Sequence, residues 1–144
     1  MRRLADVIAA RAPGESMLAA IRRDYAEAVA RADVTIGLSS PGFAQMIVSS
    51  PALTGRVLEM LNERERVLGD AIAAETGTDN PQQRLVAALL GSVHRVLSAE
   101  ASRRSLAGQP REEIRAVLAN AATRAFDLLE PSLGNYGIRP AGGS

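Results

Sequence analysis

Two stretches decide the fold: PQQRLVAALLGSVHRVLSAEA at residues 81–101 and PREEIRAVLANAATRAFDLL at residues 110–129. In both, apolar residues recur with the i, i+3, i+4, i+7 spacing of a helix that faces a core. The first stripe consists of Leu85, Val86, Leu89, Leu90, Val93, Val96 and Leu97. The second consists of Ile114, Val117, Leu118, Ala121, Ala125 and Leu128. The pattern predicts a pair of amphipathic helices separated by Gly108-Gln109-Pro110.

Each of these helices also carries a second face built mostly from small residues. A helix with two non-polar faces has two surfaces to pack against. Our interpretation is that the small faces meet a second copy of the chain, so that the last two helices form a four-helix homodimer interface. The predicted interface residues are Ala87, Gly91, Ser98, Arg115, Ala119, Ala122 and Phe126. The alternative is that both faces are buried within one protomer.

The composition limits the class of protein. A chain of 144 residues indicates one domain, and its two tyrosines and two phenylalanines are outnumbered by small and aliphatic side chains, which favours helix packing over a β-sandwich. A net charge of +1 gives no reason to expect nucleic-acid binding by the chain itself. The absence of cysteine excludes disulfides, thiolate metal sites and a cysteine nucleophile. Without a leader-like segment or an apolar run of about 18 residues, we expect a cytoplasmic protein that makes no membrane contact.

Proline, glycine and serine mark the limits of four further helices. A short helix precedes Ala12-Pro13-Gly14. The next covers residues 17–32 after an N-cap at Ser16, while Ser40-Pro41 and Ser50-Pro51 open helices over residues 42–48 and 51–75. Gly77 ends the long helix and Pro131 ends the last one, whereas residues 33–38 stay undecided. The prediction is an all-α bundle of about six helices.

Three regions follow along the chain. Residues 1–12 are predicted to be the end of a longer helix, residues 13–133 one helical domain, and residues 134–144 a flexible tail.

Arg64 is the sharpest anomaly in the pattern, because it falls inside the apolar stripe of its helix between Met60 and Val67. A guanidinium there must meet a carboxylate, a carbonyl or a ligand anion. An internal salt bridge is one explanation, and a side-chain stem that extends to the polar edge of the helix is a second. Contact with the anionic group of a ligand is the third.

Further candidate ligand-binding residues are apolar or neutral. Tyr25, Phe43, Met46 and Met60 could line a flexible apolar pocket, although ordinary core packing would use the same residues. His94 is the single histidine, which makes a poor metal site, so a hydrogen-bonded core or interface position and then a pocket-lining position are the interpretations. Nothing in the sequence predicts catalytic residues, a metal or a cofactor.

The segment SSPALTGRVLEMLNERERVLGDAIAAETGTD at residues 49–79 resembles the middle of the regulatory domain of tetracycline-repressor (TetR) family transcription regulators. RLVAALLGSVHRVL and EEIRAVLANAATRAFDLLEPSL are similar to the two dimer-forming helices that follow it in the family. The resemblance covers about residues 4–133. The region of resemblance does not include the helix-turn-helix that TetR proteins have at their N-terminus. Ala101-Ser102-Arg103 also occupies the place where many members of that family have a tryptophan.

This resemblance implies the ligand-sensing and dimerisation domain of a repressor. A small apolar or amphipathic effector would enter among the helices at residues 17–32, 42–48, 51–75 and 81–101 and shift the population of two arrangements. The helix end at residues 4–12 would then move. DNA would be contacted only through a domain that this chain does not contain. The competing hypotheses are a structural helical adaptor without a ligand and, more remotely, a helical-bundle enzyme.

Overall fold

A computed structural model describes residues 4–33, 36, 38 and 40–141, and within these ranges the chain forms helices and no strand. The elements are α1 Leu4–Ala9, α2 Met17–Ala30, α3 Pro41–Ser49, α4 Pro51–Thr76, α5 Pro81–Leu106 and α6 Arg111–Leu133. The predicted all-α bundle of about six helices is confirmed. Half of the undecided segment 33–38, at Val34, Thr35 and Gly37, lies outside the described residues. No helix in the described ranges is both long and apolar enough to cross a membrane.

The helices begin where the sequence places their caps. Ser16, Ser40 and Ser50 each accept a hydrogen bond from the backbone N–H three residues later, which satisfies a donor that has no partner within the helix. At α5 the Asn80 side chain accepts from the backbone of Gln83, whose own side chain accepts from the Asn80 N–H. This reciprocal capping box explains the sharp start of α5.

Two of the helix ends differ from the prediction. α4 stops at the predicted Gly77, which has the left-handed φ of 73° that glycine adopts without strain. α5, however, continues past residue 101 to Leu106, and α6 passes through Pro131. Proline near a helix end removes only one backbone hydrogen bond, here to the exposed residue Asp127. The buried side chain of Leu133 holds the final turn against the core.

The core lies between α2, α5 and α6, and α1 and α4 close it from one side. α5 packs against α3, α4 and α6, while α2 packs against α6 and α1, and α1 also contacts α4. Apart from Leu38, which lies between α2 and α3, the largest fully buried side chains come from five of the six helices and include Ile8, Met17, Leu18, Ile21, Tyr25, Leu68, Ile72, Leu90, Leu118 and Phe126. Among the residues of α3, only Ala44 is buried and Ile47 is half-buried, so this helix contributes little to the core.

The orientation of α5 and α6 corrects the predicted dimer interface. Ala87, Ala122 and Phe126 are buried in the protomer's own core, so they are not available to a second copy. Conversely, Leu85, Val96 and Leu128, which were predicted to face the core, are 59%, 65% and 79% exposed. The physical reason is that small side chains let neighbouring helices approach closely, which makes a small face a good inner face.

The other predicted interface residues also face neighbouring helices or loops. Gly91 lines a cavity next to α4, and Ser98 is half-buried. Arg115 donates a hydrogen bond to the Ala30 carbonyl at the end of α2, 3.3 Å away, while Ala119 borders a small groove between α2 and α6. The alternative that both faces are used within one protomer therefore describes the small faces better.

The segment after α6 is not a free tail over its described length. The backbone N–H of Gly14 donates to the Arg139 carbonyl at 2.7 Å, and the Arg139 guanidinium donates to the Arg11 carbonyl at 2.7 Å. The buried guanidinium of Arg11 in turn donates to the Gly137 carbonyl at 2.9 Å. The predicted flexible tail is thus corrected for residues 134–140, which bind across the junction between α1 and α2.

Candidate functional site

A cavity of about 570 Å³ opens between α1, α4 and α5. Its volume falls within the roughly 300–1,000 Å³ that is usual for small-molecule sites. The cavity arises from the course of α4, whose buried residues Leu68, Gly69 and Ile72 all lie in its C-terminal half. No residue between 51 and 67 is buried, so the N-terminal half of α4 packs less deeply than its C-terminal half, and the space beside α5 stays open there.

The cavity has an apolar wall and a charged rim. Its apolar lining consists of Leu4, Ala5, Met60, Leu61, Val67 and Gly91. Arg56, Glu59, Glu63, Glu65 and Arg95 contribute charged groups, and Arg64 and His94 complete the lining. Apolar and charged residues therefore contribute to the lining in equal number, six of each, which suits an amphipathic ligand better than a purely apolar one.

Three of the six predicted ligand-binding residues line this cavity, namely Met60, Arg64 and His94. Tyr25 is fully buried behind His94 and contacts it edge-on, with ring centroids 5.1 Å apart. The remaining two predicted residues, Phe43 and Met46, lie apart from the cavity lining on α3.

Phe43 and Met46 are 51% and 49% exposed, which corrects their assignment to the ligand site. The buried residue of α3 is Ala44. Phe43 and Met46 lie one and two positions from Ala44, so helical geometry places them on other sides of this helix of nine residues. Periodicity could not settle this orientation, because α3 is apolar on most of its circumference.

Arg64 has no ion-pair partner among the described residues, whereas the other charges at the cavity are matched. Arg56 pairs with Glu59, Arg95 pairs with Glu65, and Glu63 pairs with Arg66, which lies outside the cavity. The internal salt bridge considered for Arg64 is therefore not formed with any residue that the structure describes. Its half-buried guanidinium lies in the cavity lining beside Met60 and Val67.

His94 forms an uncharged part of the lining. Burial, and secondly the positive charge of Arg64, lower the pKa of His94 from 6.5 to about 4, so the ring is neutral at pH 7. Its Nδ1 and the Tyr25 hydroxyl are both buried without a hydrogen-bond partner among the described residues. Burial also raises the pKa of the Tyr25 hydroxyl. Arg64 is thus the one unmatched charge among the described groups that line the cavity.

The part of the cavity lining that α1 contributes could not be predicted from the sequence pattern. Leu4 and Ala5 line the cavity, but their segment is too short for a periodic pattern to reveal which element it contacts. Gly91 was assigned to an interface because of its size, and the same small size explains its place in the lining. Throughout the described ranges, histidine, aspartate and glutamate never gather in a group of three that could hold a metal ion.

A second surface feature lies on the outside of α5 and α6. Helical geometry puts Leu85, Leu89 and Val96 on one side of α5, and Val117, Ala121 and Leu128 on one side of α6. Leu89 and Ala121 are partly buried against the core, so each set of three residues lies at the edge of the core. We call these six residues together the outer apolar stripe. Exposed apolar residues in a row indicate a contact surface more strongly than scattered ones do.

Comparison of the chain with known protein families, curated proteins and solved structures found no match. The similarity to TetR regulatory domains accordingly stays a prediction from the sequence pattern. The cavity and the outer apolar stripe are the features of the molecule from which its function can be argued.

Proposed function

We propose that this chain is the ligand-sensing and dimerisation module of a TetR-like transcriptional repressor in which a separate domain contacts DNA. The observation that carries the proposal is the cavity between α1, α4 and α5, in which apolar residues lie beside Arg64, the one charged group of the lining without an ion pair to a described residue. A chain that served only as a structural adaptor would gain stability by filling this space, because every void loses contacts between packed atoms.

The position of α1 supplies a route from ligand to response. Leu4 and Ala5 form part of the cavity lining, so a bound molecule touches α1 directly as well as α4 and α5. By the resemblance to TetR proteins, α1 corresponds to the end of the helix that connects to the DNA-binding head. A ligand that binds one position of α1 more tightly than another shifts the population toward it, by no more than the difference in binding free energy.

Dimerisation in this proposal uses the outer apolar stripe in place of the small faces. Because a short loop joins α5 to α6, the two helices run antiparallel, and each contributes three residues to the stripe. An isologous contact would set this surface against the same surface of a second copy, which makes a four-helix arrangement. The high exposure of Leu128, at 79%, supports this choice of surface.

The sensing proposal is tested with a library of neutral, anionic and cationic amphiphiles in a thermal-shift assay. Gly91→Leu places a large side chain in the cavity, since the Cβ position of Gly91 meets only Glu65, at 4.0 Å. Gly55→Leu is the matched control, because Gly55 is also helical, has open space at its Cβ position and does not line the cavity.

We expect at least one chemical class to raise the melting temperature of the wild type and of Gly55→Leu, and not that of Gly91→Leu. If no class stabilises the wild type, the sensing function is wrong and the adaptor hypothesis takes its place. An equal response of Gly91→Leu would show that binding occurs outside this cavity.

A further inference from the structure

We propose that the cavity between α1, α4 and α5 binds an amphipathic molecule with a single carboxylate end, which pairs with Arg64 while its apolar body lies against α1 and α4. This inference rests on the proposed sensing function and names the chemical class of its ligand. It is independent of the outer apolar stripe and of any dimer.

The charge distribution selects an anion. Of the charges at the cavity, those of Glu59 and Glu65 are each compensated by an arginine in an ion pair, and His94 contributes a neutral ring. The Glu63 carboxylate pairs with Arg66, which lies outside the lining. Arg64 is therefore the one charged group of the lining that has no ion pair with a described residue, and its positive charge is available to a ligand. A cationic ligand would be repelled by it, and a neutral ligand would cover the guanidinium without replacing its lost water.

The planar guanidinium favours a carboxylate among the anions of organic molecules. Arginine can donate two parallel hydrogen bonds to a carboxylate, which is stronger and more directional than a contact with a single oxygen. The Arg64 guanidinium, which has no ion pair with a described residue, can pair with one carboxylate of the ligand. A second acid group on the ligand would meet Glu59, Glu63 or Glu65, which are already paired and would repel it.

The apolar walls require the rest of the ligand to be hydrophobic. Leu4, Ala5, Leu61 and Val67 offer aliphatic surface, and Met60 lines the cavity although it is 51% exposed. Methionine is flexible and can fold over ligands of irregular shape. Covering such exposed apolar side chains supplies affinity, while the pair with Arg64 fixes the orientation of the ligand.

The test uses three probes that share one chain and differ in the end group: octanoate, 1-octanol and octylamine. Binding is measured by isothermal titration calorimetry at pH 7.5, below the concentration at which the probes aggregate. The variants are Arg64→Met, which keeps a similar volume and removes the charge, and Arg64→Lys, which keeps the charge and removes the planar fork. Arg124→Met is the control, because Arg124 is exposed on α6 and also has no ion pair with a described residue.

We expect the wild type to bind octanoate most tightly, octanol more weakly and octylamine least. Arg64→Met should weaken octanoate binding by roughly tenfold to a hundredfold, as expected for a charge-assisted hydrogen bond. Octanol binding should stay the same in this variant. Arg64→Lys should retain part of the octanoate affinity, and Arg124→Met should match the wild type.

Several results would overturn the inference. Octanol binding as tight as octanoate in the wild type would show that Arg64 does not select the carboxylate, and this comparison holds even if a variant fails to fold. Unchanged octanoate affinity in a folded Arg64→Met protein would have the same meaning. If neutral or cationic amphiphiles bind in the cavity and octanoate does not, the sensing function survives and the carboxylate inference alone falls.

Discussion

Acidification should destabilise this fold through His94. The ring lies in the cavity lining between Arg64 of α4 and Tyr25 of α2, and burial is the first cause of its low pKa of about 4. In the unfolded chain the same side chain titrates near 6.5. Between these two pKa values His94 is protonated in the unfolded state and neutral in the folded state. Part of the free energy of unfolding that is present above pH 6.5 is therefore lost as the pH falls toward 4.

The size of the loss follows from the two pKa values. At pH 5 nearly every unfolded chain is protonated at His94 and about one folded chain in ten is, which corresponds to a loss of about 2 kcal/mol relative to pH 7.5. The Glu100 carboxylate stays ionised at pH 5, because hydrogen bonds from Arg103 and Arg104 lower its pKa to about 2.

Urea unfolding followed by circular dichroism at pH 7.5 and pH 5.0 measures this loss. The comparison is between the wild type and His94→Gln, which keeps a polar side chain and does not titrate. We expect the wild type to lose about 2 kcal/mol more than the variant between the two pH values. Equal losses in both proteins would refute the reasoning, since His94 would then have the same pKa in the folded and unfolded states.

The outer apolar stripe and the C-terminal segment give two further predictions. Leu128→Glu should convert a wild-type dimer into a folded monomer in light scattering, whereas Ala116→Glu, on another exposed side of α6, should stay dimeric; a wild type that is monomeric at high micromolar concentration would contradict the dimer. Gly137→Ala should cost more stability in thermal unfolding than Gly14→Ala. Both glycines have positive φ, at 61° and 80°, but a Cβ at Gly137 would also lie 2.7 Å from the Met17 side chain while Gly14 has open space. Equal losses would mean that the C-terminal segment moves aside freely.

The helix limits could be predicted from the sequence because they depend on local chemistry. Ser16, Ser40 and Ser50 cap their helices through hydrogen bonds that span three residues, and Gly77 ends α4 through its own backbone conformation. None of these features depends on which element packs nearby. Pro131 shows the limit of local reasoning, since the burial of Leu133 against a distant part of the chain outweighs the lost hydrogen bond.

The rotation of α5 and α6 could not be predicted, because periodicity identifies faces without saying what each face meets. Leu128 and Phe126 are both large and apolar and lie two positions apart, yet one is 79% exposed and the other is buried. Phe126 packs against α2: the ring centroids of Phe126 and Tyr25 are 6.3 Å apart, and the Arg22 guanidinium lies over the Phe126 ring. Such contacts join residues about a hundred positions apart, which a local pattern does not contain.

Arg64 could be identified from the sequence because a charge within an apolar stripe conflicts with its surroundings. Conflicts of this kind are expected at functional positions, where local rules are broken for another purpose. The walls around Arg64 could not be identified in the same way. Leu4, Ala5 and Val67 are ordinary apolar residues, and only the divergence of α4 from α5 makes them line a cavity instead of a filled core.

The concentration of unsatisfied groups in one place is the strongest physical argument that the cavity has a use. Buried polar atoms nearly always have hydrogen-bond partners, because leaving one without a partner costs free energy. Here the Tyr25 hydroxyl and His94 Nδ1, both without a partner among the described residues, lie on adjoining rings. The unmatched charge of Arg64 faces the same histidine. Packing alone would favour a phenylalanine and a leucine at such positions. The polar cluster beside the cavity therefore supports the proposal that a ligand completes the site.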